Sequence, residues 1–142
     1  MTSQTPILYP AFAMVALVFF VLNRMRSMRF AAVRNRVIGA EFYQAFQGAE
    51  EPAPLRVVSR HFVNLFEMPM LFYVVLVMIY VTHQTTTWLV ACAWLYVVLR
   101  YVHSFVHLGT NDVMTRVVIY FASGLVLLVM WATLLVQLVR AG

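Results

Sequence analysis

A chain of 142 residues is one domain's worth, and 63% hydrophobic against 11% charged residues, with a mean hydropathy of +0.85, is too apolar for a water-soluble surface. The net charge of +5 comes from ten arginines and no lysine, a balance that in a soluble chain would point to nucleic acid; this hydrophobicity excludes that partner. The composition is that of an integral membrane protein with membrane lipid as its surroundings, a single domain over residues 1–142.

Four apolar runs, at residues 7–22, 62–81, 88–106 and 117–139, are each close to the length of a helix that crosses a bilayer. The expected fold class is therefore all-α, a membrane four-helix bundle. The first run opens on Tyr9-Pro10, acceptable in a first helical turn, and is short enough to be expected to run on through Asn23 and Arg24. Nothing basic precedes it and no small-residue cleavage site follows it, so this helix is expected to stay in the protein.

The first connection holds Arg24, Arg26, Arg29, Arg34 and Arg36, then Glu41, Glu50 and Glu51, and reads as a solvated extension of helix 1 and a loop facing anionic headgroups. Pro52 and Pro54 are expected to close it as a rigid turn. The second connection carries no arginine; the third has Gly109, Asn111 and Asp112 as turn residues and ends on Arg116. Arginine counting puts the first and third connections on the cytoplasmic side and both termini outside, in a bacterial inner membrane. Cys92, the only cysteine, lies mid-span and reads as a small packing residue. His83, in the outer loop, reads as solvated.

The second run begins with Arg60, Asn64 and Glu67, of which a guanidinium or carboxylate costs about 2.5–3.5 kcal/mol at the centre of a membrane helix and less near its end. On one continuous helix the three project from an arc roughly 60° wide. Arg100, His103 and His107 repeat the pattern where the third helix returns to the same side, and Arg116 with Tyr120 does so where the fourth departs. Three polar arcs at matched depth point to one shared cavity. The plainer reading is a helix clamp, with Glu67 paired to an arginine of a neighbour. A metal or haem reading of His61, His103 and His107 is weaker, because no cysteine or second carboxylate accompanies them.

Such a cavity suits a small ligand with carboxylates, an ammonium and a thiol. Arginines grip carboxylates in forked pairs, Glu67 holds the ammonium, and Arg116 at a helix N-terminus favours an anion such as a thiolate. An apolar electrophile would arrive through the lipid.

The spacing Arg60-x3-Asn64-x2-Glu67 with Pro69, followed by Arg100-x2-His103-x3-His107-x8-Arg116-x3-Tyr120, resembles the MAPEG family, the membrane-associated proteins of eicosanoid and glutathione metabolism. The resemblance implies a homotrimer that binds glutathione between subunits near the cytoplasmic face and works as a glutathione-dependent transferase or peroxidase on a lipophilic small molecule. It makes Arg60, Asn64, Glu67, Arg100, His103, His107 and Tyr120 glutathione-binding positions and Arg116 the catalytic arginine that stabilises the thiolate. His107 stands where the prostaglandin synthase branch carries a tyrosine, and Val117 where it carries a serine. A helix 1 arginine is also implied, for which Arg24 and Arg26 are both candidates. The same resemblance admits a second class of function, a lipid-binding or scaffold protein that does no chemistry.

Overall fold

The computed structural model describes residues 3–46 and 50–141. After a 3-10 turn at Thr5–Leu8 come α1 (Tyr9–Arg34), the single turn α2 (Phe42–Ala45), α3 (Ala53–Asn64), α4 (Met68–Val81), α5 (Thr87–Leu108) and α6 (Val113–Ala141). They make four stretches long and apolar enough to cross a membrane, Thr5–Arg34, Ala53–Val81, Thr87–Leu108 and Val113–Ala141. The all-helical architecture expected from the four runs is the one observed.

The packing follows helical periodicity. On α1 the buried side chains are Met14, Leu17, Val21 and Met25, while Phe12, Phe19 and Phe20 face outward as a lipid-exposed side chain can. α5 packs most extensively against α6, and α1 against α3. Phe72 of α4 and Tyr96 of α5 stack with ring centroids 4.3 Å apart, both fully buried. The Tyr101 hydroxyl donates to the Ala13 carbonyl at 2.8 Å, tying α5 to α1. Cys92 is buried among these apolar groups, the packing role expected of it, and His83 is exposed.

The extension of helix 1 expected of the basic segment is present, since α1 continues to Arg34. Arg29 there donates to Glu51 at 3.1 Å and to Ser59 at 3.2 Å, and its guanidinium lies 5.2 Å from the Tyr43 ring centroid, so the base of α3 and the turn α2 are both held to α1. Burial and the nearby Glu51 carboxylate push the Tyr43 phenol above its ordinary value despite Arg29, which keeps it protonated. Pro52 and Pro54 do not make a turn; they cap and open α3, where a missing N–H costs nothing.

The second spanning segment is not one helix. α3 ends at Asn64, the chain turns through Leu65, Phe66 and Glu67, and α4 begins at Met68. Pro69 explains the break, since it has no N–H for the Leu65 carbonyl and its ring would collide with that oxygen. Arg60, Asn64 and Glu67 therefore do not share one continuous arc: the first two follow α3, while Glu67 sits at the start of α4 with ψ −94°. Such a break is tolerated at membrane depth where other groups satisfy the freed backbone. Here Arg100 donates to the Asn64 carbonyl at 3.2 Å.

Candidate functional site

The buried stripe of α5 shows how the site arises. Leu89, Cys92, Ala93, Tyr96 and Val97 fill one half of the bundle, and the same stripe continues as Arg100, His103, Ser104 and His107. The periodicity is unbroken and only the chemistry changes, so these polar groups enter the interior because the helix face carries them there. Arg100 is fully buried, and its Nε and one terminal nitrogen have no hydrogen-bond partner. Its guanidinium carbon lies 5.6 Å from the Tyr120 ring centroid, in cation–π range.

α6 supplies the opposite wall. The Asp112 carboxylate accepts from the Thr115 backbone N–H at 2.8 Å, capping the helix, and the bonds from Thr115 hold its carboxyl below the ordinary range. Asn111 adopts the left-handed conformation, φ 53°, and its side-chain oxygen accepts from Arg116 at 2.6 Å. The turn that starts α6 thus aims Arg116, whose Nε is buried without a partner.

Between these walls lies a cleft of about 190 Å³ lined by Asn64, His103, Arg116, Val117, Tyr120 and Phe121, along with Val113. Asn64 also lines an adjoining cleft of about 430 Å³ with Glu51, Arg56, Ser59 and Arg60. Of the sequence-predicted site residues, Asn64, His103, Arg116 and Tyr120 meet around one opening, and Arg100 stands behind it. Arg60 opens into the neighbouring cleft. Glu67 lines neither, is exposed, and makes no ion pair; the ion pairs among the described residues are Arg29–Glu51 and Arg56–Glu50. The clamp expectation for Glu67 is not met within the chain. Arg24 and Arg26 are both exposed, and Arg26 lies over the Phe30 ring at 5.6 Å, away from the cleft.

His107 does not line the cleft but lies with His103 and His61, the three histidines that the metal reading had grouped. His61 on α3 is fully buried, with ring centroids 4.7 Å from His107 and 5.8 Å from His103. Its Nε2 lies 2.9 Å from Ser104 Oγ, which itself donates to the Arg100 carbonyl at 2.8 Å. Leu55, Val58, His61 and Leu65 are the buried residues of this segment, a helical spacing that marks His61 as inward-facing and was the available signal. Among the described residues, no group of three His, Cys, Asp or Glu side chains is arranged to hold a metal ion.

The arrangement offers an unsatisfied donor on Arg116, a phenol and an imidazole around a small opening at one end of a membrane bundle, with further unsatisfied donors on Arg100 behind it. That is a place for an anion with hydrogen-bonding arms. No curated protein and no solved structure matches this chain. The MAPEG family pattern matches residues 7–136, most of the sequence and all four spanning segments in large part, and the chain belongs to the MAPEG family.

Proposed function

We propose that the protein is a membrane glutathione-dependent transferase or peroxidase acting on a lipophilic electrophile, with the glutathione thiolate held by Arg116. The observation that carries this reading is the set of buried, unpartnered donors on Arg100 and Arg116 beside a cleft lined by Asn64, His103 and Tyr120. A buried guanidinium N–H without an acceptor is costly, and a ligand carboxylate or thiolate removes that cost. Val117 and Phe121 complete the cleft with apolar surface, through which an electrophile dissolved in lipid reaches the sulfur.

Volume supports a site shared between subunits. Pockets for small molecules occupy about 300–1,000 Å³, and the cleft beside Arg116 offers about 190 Å³ in a single chain. A homotrimer supplies the missing wall, brings an arginine from the α1 extension of a neighbour within reach, and gives the exposed Glu67 a ligand ammonium to hold. The experiment is glutathione titration of the detergent-solubilised protein, then turnover with a generic lipophilic electrophile or a lipid hydroperoxide. Binding with turnover supports the enzyme; binding without it supports the lipid-binding or scaffold alternative.

Asn111 offers a cleaner probe of Arg116 than Arg116 itself. Asn111→Gly keeps the left-handed turn, which glycine adopts freely, but removes the oxygen that aims the guanidinium. Turnover is expected to fall about tenfold, the equivalent of one charge-assisted hydrogen bond, while the thermal midpoint in detergent holds. Unchanged turnover would mean that Arg116 needs no aiming.

Orientation follows from arginine placement, with the first and third connections in the cytoplasm. A reporter fused after residue 142 is expected to be active only outside the cytoplasm. Activity only inside would put the cleft on the other face, away from cellular glutathione.

A further inference from the structure

α1 presents an outward stripe as well as its buried one. Phe12, Val15, Phe19, Leu22 and Arg26 recur at spacings of three and four, which places them within an arc roughly 80° wide. Phe12, Val15 and Phe19 are exposed, and so is Arg26. From Phe12 to Leu22 the helix rises about 15 Å, half of a hydrocarbon core about 30 Å thick, so the apolar part of the stripe is one leaflet deep. Arg26 lies about 6 Å further along, at the level of the headgroups.

At that level the stripe meets a wall. Beyond α1 the chain folds back so that Ala40 and Tyr43 face the helix across a groove of about 510 Å³, with Leu22, Met25 and Phe30 as its apolar floor. Arg26 and Arg29 line the same groove, and they differ in what they are free to do. Arg29 is committed to Glu51 and Ser59 and lies against the Tyr43 ring, which fixes the wall in place. Arg26 enters no ion pair, since the ion pairs among the described residues are Arg29–Glu51 and Arg56–Glu50. Its guanidinium is held over the floor of the groove, 5.6 Å from the centroid of the Phe30 ring. No carboxylate lines the groove; Glu51 turns instead toward the cleft it shares with Arg60.

We propose that one anionic phospholipid occupies this groove, with its phosphate on Arg26 and one acyl chain along Leu22, Phe19, Val15 and Phe12. A guanidinium takes phosphate oxygens in a forked pair and keeps its charge at a membrane surface. The headgroup is anionic because the groove offers a cation without an ion pair and no acidic partner for the ammonium of a zwitterionic one. The stripe below Arg26 matches the chain of a lipid in a single leaflet, and its aromatic and branched side chains already face that leaflet. A lipid seated there touches α1 and the Ala40–Tyr43 wall at once, and so steadies the segment that Arg29 ties to the base of α3. Of the two α1 arginines considered for a neighbour's cleft, this assigns Arg26 to lipid and leaves Arg24. The inference stands apart from the glutathione reading and needs no ligand beside Arg116.

The test titrates the protein in mild detergent with phosphatidylglycerol and, separately, with phosphatidylcholine of the same chains. Native mass spectrometry counts the lipids retained per chain, and the thermal midpoint is the second readout. The expected result is one phosphatidylglycerol per chain, held about fivefold or more tighter than phosphatidylcholine, with a raised midpoint. Arg26→Gln removes an exposed charge that enters no ion pair and is expected to bring phosphatidylglycerol down to the level of phosphatidylcholine. Ala40→Trp keeps every charge and fills the groove from its exposed wall, and is expected to release the lipid all the same. A diffuse attraction between the arginine-rich extension and anionic headgroups would not respond to that change. Arg140→Gln, at the far end of α6, is the control and is expected to retain lipid as the parent does. Equal retention of the two lipids by the parent, or undiminished phosphatidylglycerol on Ala40→Trp, would overturn the site. A second copy of the chain covering the groove would also overturn it, and would show as an assembled protein that retains no such lipid and that Ala40→Trp dissociates.

Discussion

Arg116→Ala is expected to lower turnover with a lipophilic electrophile by about 10²–10³, the cost of removing one preorganised donor to a developing anion. Glutathione affinity is expected to change by less than about tenfold, because a contact to sulfur is a small part of the grip on a tripeptide with two carboxylates and an ammonium. On the proposed reading the effect concentrates in the chemical step. Arg116 is anchored at one terminal nitrogen by Asn111 and keeps a buried Nε free at the edge of the cleft, at the start of α6 where the helix dipole also favours negative charge. Fast turnover in the alanine variant would remove Arg116 from the thiolate.

Glu67→Gln should fail in the opposite way. Glu67 is exposed at the break between α3 and α4 and makes no ion pair, and its charge reaches buried Arg100 only through space, so folding is expected to survive its removal. If it holds the ligand ammonium, the loss is one hydrogen bond to a charged group, about 1.5–3 kcal/mol, or about 10–100-fold weaker glutathione binding. The maximal rate at saturating glutathione should hold. A variant that unfolds or disassembles without any change in affinity among the survivors would make Glu67 a clamp between subunits.

The spans were legible because hydropathy alone decides them: residues 62–81 and 117–139 can go nowhere but lipid. The polar end was legible because Arg100, His103 and His107 share the α5 stripe, and helical spacing fixes a face once the helix is certain. What failed was continuity along the second span. Asn64 and Glu67 looked like neighbours on one face, but Pro69 breaks the backbone between them, a local steric effect that average hydropathy hides. Arg60 looked equivalent to Asn64, yet both line the adjoining cleft and only Asn64 also reaches the one beside Arg116. His61 was legible only through its spacing from Leu55 and Val58, which places it inward. Long-range partners such as Arg29 with Glu51 carry no local signal, since many arginines in the first connection were equally placed to meet that carboxylate.

The same comparison shows what the chain alone supplies. One subunit brings Asn64, His103, Arg116 and Tyr120 to a single opening and leaves Glu67 and the α1 arginines pointing away from it. On the function proposed above, these outward groups meet a ligand that lies where chains meet.

The most direct measurement is a structure of the assembled protein in lipid, determined with saturating glutathione. The expected result is three copies around an axis with tripeptide density in each interface, the sulfur beside Arg116 and a carboxylate toward Arg100. An assembly saturated with glutathione whose cleft at Arg116 holds no such density would contradict the account.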